Sequence, residues 1–247
     1  MTLTYSEICS PGGRKSNQDN AGWRADGGKA CFVVCDGLGA YSGSGIASRI
    51  CTEVMCDGFM NGGSPTAECI TALAERAHRR IIEEKTENGH IDGACTTLAG
   101  VFTDGSRTVI AHIGDSRVYR FAAGRIRFCT ADHSVAQMDV ESGRISRRDL
   151  RYHRDQNKLT RVLGGRRYLP PDITESDAPL AAGGAFLLCT DGFWEYVDEN
   201  EMEYALTLGL PGEGMLGYME KKLLSRASGE HDNYTALLVR VIGEDDQ

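Results

Sequence analysis

Apolar residues along the chain fall into two patterns. Five short runs, at 31–35, 98–102, 109–113, 186–189 and 236–241, are nearly uninterrupted and are bounded by Asp, Gly, Ser and Asn, which predicts strands. The segments TLAGVFT and RTVIAHIG flank Asp104-Gly105-Ser106 and predict a hairpin, so part of the sheet is antiparallel. Residues 117–121 are expected to continue that hairpin as a meander. Other segments repeat at helical spacing: 42–60 with Ile46, Ile50, Val54 and Met55, 66–85 with Ile70, Leu73, Ala77 and Ile81, and 214–226 with Met215, Met219 and Leu223. Ser64-Pro65 is a suitable start for the second helix. Strands and helices come in blocks rather than in strict alternation, which favours an α+β architecture over a doubly wound parallel sheet. Residues 139–167 (with ESGRISRRDLRYHRDQNK) break both patterns and read as a solvated, mobile insertion. With no repeat and no linker, one domain over 1–247 is expected.

Composition narrows the function classes. The chain has 247 residues, 41% hydrophobic and 25% charged, which excludes a disordered or fibrous protein. A formal net charge of -8 argues against general affinity for nucleic acid or an anionic membrane. Nine cysteines, several inside apolar runs and none in a Cys-x-x-Cys pair, fit buried small residues in a reducing compartment rather than a thiolate zinc site. The N-terminus lacks the features of a signal peptide, and no apolar stretch approaches the roughly 18 residues of a membrane span. The expected location is the cytoplasm.

The candidate chemistry lies in the aspartates. Asp-Gly occurs six times, and at Asp26, Asp57, Asp92 and Asp104 it reads as a turn. Asp36 and Asp191 differ, because each ends a buried-looking run (FVVC and FLLCT) and precedes a glycine, whose backbone can approach a ligand closely. Asp232 comes just before the last strand, and in an antiparallel pair the start of one strand lies beside the end of its neighbour, which would bring it near Asp191. Asp115, in HIGDSR, ends another strand. Either these are solvated aspartates at strand ends, or four carboxylates meet at one sheet edge and repel one another unless cations neutralise them. Oxygen donors without thiolates select Mg2+ or Mn2+ over zinc.

Eight segments occur in one order: GRKSNQD (13–19), VVCDGLGA (33–40), CTTLAG (95–100), HIGDSRVYR (112–120), TADHS (130–134), LTRVLGG (159–165), LLCTDGFWE (187–195) and HDNYTALLV (231–239). In these the chain resembles the PPM-type (type 2C) metal-dependent serine/threonine protein phosphatases, specifically stand-alone bacterial members. The resemblance implies a four-layer α-β-β-α sandwich of two antiparallel sheets flanked by helix pairs, with a flap at about 132–170. It implies two or three Mn2+ or Mg2+ ions, with Asp36 bridging two of them, the Gly37 carbonyl beside it, Asp191 and Asp232 as further ligands, and Asp115 on a weaker third ion. Asp19 would act through water, and Arg14 would clamp the phosphate with its guanidinium fork. Arg117 would be structural. The attacking group would be water acidified between two cations, so the cysteines need not act. Three departures are visible: Leu38 stands where many eukaryotic members have a histidine proposed as general acid, Gln18 replaces a more usual glutamate, and Ala40 replaces a glycine. His133 is a tempting acid, but its context reads as a structural corner. Arg144, Arg147, Arg148, Arg151 and Arg154 of the flap read as a solvated face, with contact to acidic substrate the alternative. Phosphorylated proteins are the expected partners, as opponents of a serine/threonine kinase, and a monomer is expected. Two other classes stay in view: a pseudophosphatase that only binds a partner, and a metal-dependent hydrolase of small phosphoesters.

Overall fold

The computed structural model of the chain describes residues 2–38, 43–87, 89–178 and 180–243. Ala40 and Ser42 therefore lie outside the described residues. Twelve strands are described: β1 (Thr2–Ser10), β2 (Asn20–Asp26), β3 (Lys29–Cys35), β4 (Gly37–Leu38), β5 (Cys95–Thr96), β6 (Leu98–Thr103), β7 (Thr108–Ile113), β8 (Arg117–Ala122), β9 (Arg125–Cys129), β10 (Asp172–Ser176), β11 (Ala185–Cys189) and β12 (Tyr234–Ile242). The helices are α1 (Ser44–Met60), α2 (Ala67–Glu87), α3 (Val135–Glu141), α4 (Asp191–Trp194), α5 (Glu199–Leu206) and α6 (Gly212–Arg226).

Two antiparallel five-stranded sheets form the centre, ordered β1-β12-β11-β8-β9 and β10-β7-β6-β3-β2. Alternation along the strands supplies three apolar layers. Val34, Val101 and Ile110 of one sheet meet Val118, Leu188, Leu237 and Val239 of the other. The opposite face of the second sheet (Cys31, Val33, Cys35, Phe102) buries Met55, Phe59, Ile70 and Ile81 of α1 and α2. The opposite face of the first (Tyr119, Leu187, Cys189) buries Met202, Met215, Met219 and Leu223 of α5 and α6. This is the expected α-β-β-α sandwich. Burying a Leu, Ile or Met side chain contributes about 1.5–3 kcal/mol each, so these layers are the main stabilising term.

Three expectations need correction. The 98–102 and 109–113 runs do form a hairpin, but β8 is no continuation of it: the chain leaves β7 at Gly114 and enters the other sheet. Gly114 has φ +98°, and a Cβ there would sit 2.6 Å from Thr97 Cγ2, so only glycine makes the crossing. Asp57 is not in a turn but inside α1, where Gly58 lets α2 approach; a Cβ at 58 would meet Leu73 and Arg76. The segment 139–167 is charged but well anchored. Leu150 is buried, Leu159 and Leu163 bridge to Ser134 and Thr96, and the Arg151 side chain is only 8% exposed. Arg151 donates to the carbonyls of Trp194 (2.6 Å) and Glu195 (3.2 Å) and to Glu199 Oε2 (2.7 Å), which ties this segment to the helix that Asp191 opens.

Candidate metal centre

Chain topology brings the site together from five places. β3 ends at Cys35, and Asp36 follows at the sheet edge, its N–H donating to Thr97 Oγ1 (2.8 Å) while its carbonyl accepts from the Thr97 N–H (3.0 Å). Asp115 sits on the crossover between the sheets, its carbonyl accepting from Trp194 Nε1 (2.9 Å). β11 delivers Asp191 as the first residue of α4, where its Oδ1 accepts the Gly192 N–H (2.6 Å), a favourable place for a carboxylate. A Cβ at Gly192 would lie 2.0 Å from the Asn233 carbonyl, so glycine is what lets the two loops meet. Asp232 precedes β12, and Arg14 lies in the loop after β1. Asn233 stitches these two together: its Nδ2 donates to Pro11 O (2.8 Å) and Ser16 O (3.0 Å), and its Oδ1 accepts from the Gln18 N–H (2.8 Å).

Carboxylate oxygens of Asp36, Asp115 and Asp191 lie within 4.8 Å of one another. Asp232 stands at the rim, half exposed, where Arg14 grips it with Nε and Nη2, both at 3.2 Å. Asp19 is buried behind the cluster, its Oδ2 accepting from Thr190 Oγ1 and Thr235 Oγ1, both at 2.8 Å. Gly37 is paired with Thr96 in the small β4-β5 ladder, and its N–H reaches Gln18 O (3.1 Å). All six acidic or backbone positions singled out in the sequence are thus brought to one edge, with Arg14 beside them.

The electrostatics are those of a site built for cations. Burial, then the charges of Asp191, Asp19, Asp115 and Asp232, push the Asp36 carboxyl well above the usual carboxylate range. Asp115 is pushed up by burial and by Asp191 and Asp132. Asp19 rises to about 7, mainly through burial and against its threonine hydrogen bonds, and Asp191 to about 6 through burial and Asp232. Oδ1 of Asp115 is buried without a hydrogen-bond partner, an orphan that a protein normally satisfies with a ligand. An all-oxygen donor set with such an orphan fits Mg2+ or Mn2+.

Sequence reasoning passed over the residues that hold these carboxylates: Thr97, Thr190, Thr235 and Asn233, though all four lie inside the motifs that carry the resemblance. It also passed over Glu195, which burial and the charges of Asp191 and Asp232 lift to about 8. The expectation for His133 holds. Its Nδ1 faces the Gly114 N–H (3.2 Å), its Nε2 faces Asp172 Oδ2 (3.1 Å), and its ring lies against His112, which makes it a corner post. Arg117 is likewise structural, forked onto Asp132 at 2.7 Å twice and stacked 3.4 Å over Trp194. The arginines of 139–167 do not form one face: Arg151 turns inward, Arg144 pairs with Asp139, and Arg147 reaches Thr130 O (3.3 Å).

A family model described as protein phosphatase 2C matches residues 13–210. The chain belongs to the protein phosphatase 2C family. It is similar to the serine/threonine phosphatase stp of Listeria innocua, 30% identical over 92% of this chain and 90% of that one. Among solved structures it resembles the PPM Ser-Thr phosphatase MsPP of Mycobacterium smegmatis in complex with cacodylate, with a TM-score of 0.79 and 27% identity over 98% of each chain. It also matches the catalytic domain of the serine/threonine phosphatase PstP in complex with two manganese ions, with a TM-score of 0.82 and 24% identity over 98% of this chain and 99% of that one, a likeness of fold. The family places the centre within a phosphatase.

Proposed function

We propose that the chain is a Mn2+- or Mg2+-dependent phosphatase that hydrolyses phosphoserine and phosphothreonine in proteins, with Asp36, Asp191, Asp232, the Gly37 carbonyl and Asp115 as the cation ligands. The observation that carries this reading is the convergence of three aspartates from separate segments within 4.8 Å, next to an arginine fork, in a chain of this family. The manganese ions of PstP, the cacodylate of MsPP and the shared serine/threonine phosphatase names support the cofactor and the reaction.

Each residue has work that follows from its setting. Held by these carboxylates, such cations would supply Lewis acidity, lowering the pKa of water at the site and offsetting charge on the phosphoryl oxygens. Asp36, central among Asp19, Asp115 and Asp191, offers oxygens on two sides. Asp19, fixed by two threonine hydroxyls, accepts a proton donor on its free side and orients the attacking water. Arg14, mounted on an exposed loop, can exchange its grip on Asp232 for two phosphoryl oxygens. Leu38 carries no proton, so the departing alkoxide must be protonated by water rather than by a side chain there. With water as the attacking group, no phosphoenzyme is needed.

The same reading takes the chain as one catalytic unit, 1–247, with a flap at 132–170, working as a monomer in the cytoplasm against a serine/threonine kinase. Among the described residues no helix is long and apolar enough to cross a membrane. The test is Mn2+-dependent turnover of a phosphothreonine peptide, compared with p-nitrophenyl phosphate and with nucleotides. Loss of all three activities in Asp36→Asn is expected. Turnover of nucleotides alone would transfer the site to small phosphoesters, and no turnover of any substrate would make the chain a binding module.

A further inference from the structure

At the end of the strands opposite the aspartates, the two sheets part. Between β7 and β10 on one side and β8, β9 and the start of β11 on the other lies a cavity of about 180 Å3. Its walls are apolar, with Ile110, Phe128, Leu180, Phe186 and Val241 among them, and no carboxylate among the described residues lines it. An apolar cavity of about 150 Å3 accepts a benzene ring, so this one has room for a ring or a short alkyl chain.

Two arginines break the apolar lining. Arg120 is the residue of β8 after Tyr119, and alternation puts it on the same side as Val118, facing the opposite sheet rather than the helices. It pairs across the ladder with Phe128 and Phe186, two walls of the cavity. No carboxylate among the described residues forms an ion pair with it. Arg127 comes from β9. Arg120 opposes Phe128 while Phe121 opposes Ile126, so Arg127 is the extra residue of a β-bulge, a device that re-aims a side chain. Its acidic neighbour Glu203 is already engaged by Arg125 (2.6 Å) and the Ile126 N–H (2.9 Å). Both side chains are exposed at the mouth of the cavity, and Arg127 shares the field of Glu203 with Arg125; a cationic rim on an apolar cavity is complementary to an anion attached to an apolar body.

We propose that this crevice binds a small amphipathic carboxylate, an aromatic ring or short alkyl chain bearing one acid group, with the carboxylate held by Arg120 and Arg127 and the tail between the sheets. The site is separate from the phosphatase centre: Ala185, at the cavity, and Asp191, at the cluster, are joined by β11 and stand roughly 20 Å apart at about 3.3 Å per residue. Inorganic phosphate has no tail to bury, and the lining gives it no further donors.

The test is a titration of the full chain with Mg2+, followed by amide NMR shifts, using 3-phenylpropionate and octanoate as probes and 3-phenylpropanamide and inorganic phosphate as controls. Saturable shifts at Ile110, Phe128 and Phe186 are expected for the carboxylates, with the amide at least about tenfold weaker, as loss of a charge-assisted hydrogen bond implies. Arg120→Gln should weaken 3-phenylpropionate by the same factor while leaving phosphopeptide turnover unchanged. Ala181→Phe, which fills the exposed mouth, should abolish binding in a protein whose spectrum is otherwise native. The proposal is overturned by no saturable shift at the probes' solubility limit, by equal binding of amide and carboxylate, by wild-type affinity in Arg120→Gln, or by shifts confined to the surroundings of Asp36 and Asp191, where a carboxylate acts only as a cation ligand.

Discussion

Asp36→Asn should destroy activity and at the same time stabilise the cation-stripped protein. The cluster holds carboxyls whose folded pKa values are raised above the unfolded value near 3.8. A raised carboxyl costs nothing below that value, and its cost grows as pH climbs toward the folded pKa, because the unfolded chain ionises first. Asp19 alone, raised from 3.8 to about 7, is displaced by about three pH units, which at about 1.4 kcal/mol per unit is roughly 4 kcal/mol at pH 8. Asp36 is itself held well above the usual carboxylate range, by burial first and then by Asp191, Asp19, Asp115 and Asp232, so replacing it with a neutral amide of the same shape removes its own cost; its hydrogen bonds lower Asp19 and Asp191, so the cost of those two stays. If the buried Asp36 carboxyl costs about as much as Asp19, then about 2–4 °C per kcal/mol for a chain of this size places the gain on the order of 10 °C at pH 8 in EDTA. At pH 5 most of the difference should vanish. Buried His78, His112 and His133, whose pKa values are lowered by burial, act oppositely as pH rises, but they are common to both proteins and cancel in the difference. Scanning calorimetry in EDTA from pH 5 to 8 measures it. An Asp36→Asn protein that melts below wild type at pH 8, or a difference independent of pH, would refute the electrostatic account. Adding Mn2+ should reverse the order, raising wild type and leaving the variant where it was.

Four other outcomes follow from the geometry. Arg14→Ala should lower kcat/KM for a phosphopeptide about 10–100-fold, the worth of a charged hydrogen-bond pair, without loss of fold, since the residue is half exposed. Thr190→Val removes one of the two hydroxyls on Asp19 and should weaken Mn2+ binding about tenfold by calorimetric titration while costing about 1–2 kcal/mol in denaturant unfolding. Gly114→Ala meets both a positive φ and Thr97, so it should destabilise by roughly 1–3 kcal/mol and displace Asp115, seen as reduced Mn2+ occupancy. Arg151→Ala leaves three carbonyls and Glu199 short of a donor, and limited proteolysis should then cut within 139–167 faster than in wild type.

The sequence was legible where burial is two-sided. All five apolar runs proved to lie on interior strands, β3, β6, β7, β11 and β12, which are covered on both faces and need apolar residues throughout. Of the strands that escaped notice, β4 and β5 are two residues each, and β1, β2, β9 and β10 are the edges of the two five-stranded sheets, where one face meets solvent and the pattern dilutes into TLTYSEICS, NAGWRAD, RIRFC and DITES. The meander expectation failed because a glycine crossover between sheets and a hairpin turn use the same residue types. Asp36, Asp115, Asp191 and Asp232 were legible because they stand at the ends of strongly patterned strands, whereas Asp19 was reached only through the resemblance. Its supports were not: a threonine that accepts from a backbone amide and donates to Asp19 looks in sequence like any strand threonine. Likewise, Arg151 reads as one more basic residue in a charged segment until the carbonyls of Trp194 and Glu195 are seen to surround it.

The claim on which the rest stands is that Asp36, Asp191 and Asp232 share cations. Crystals soaked in Mn2+, with anomalous data collected at the manganese edge, test it directly. Two peaks are predicted between these carboxylates, with Asp232 turned from Arg14 toward one of them and a weaker third peak at Asp115. An absence of peaks there at saturating Mn2+, or manganese bound only at other acidic surfaces, would contradict the account.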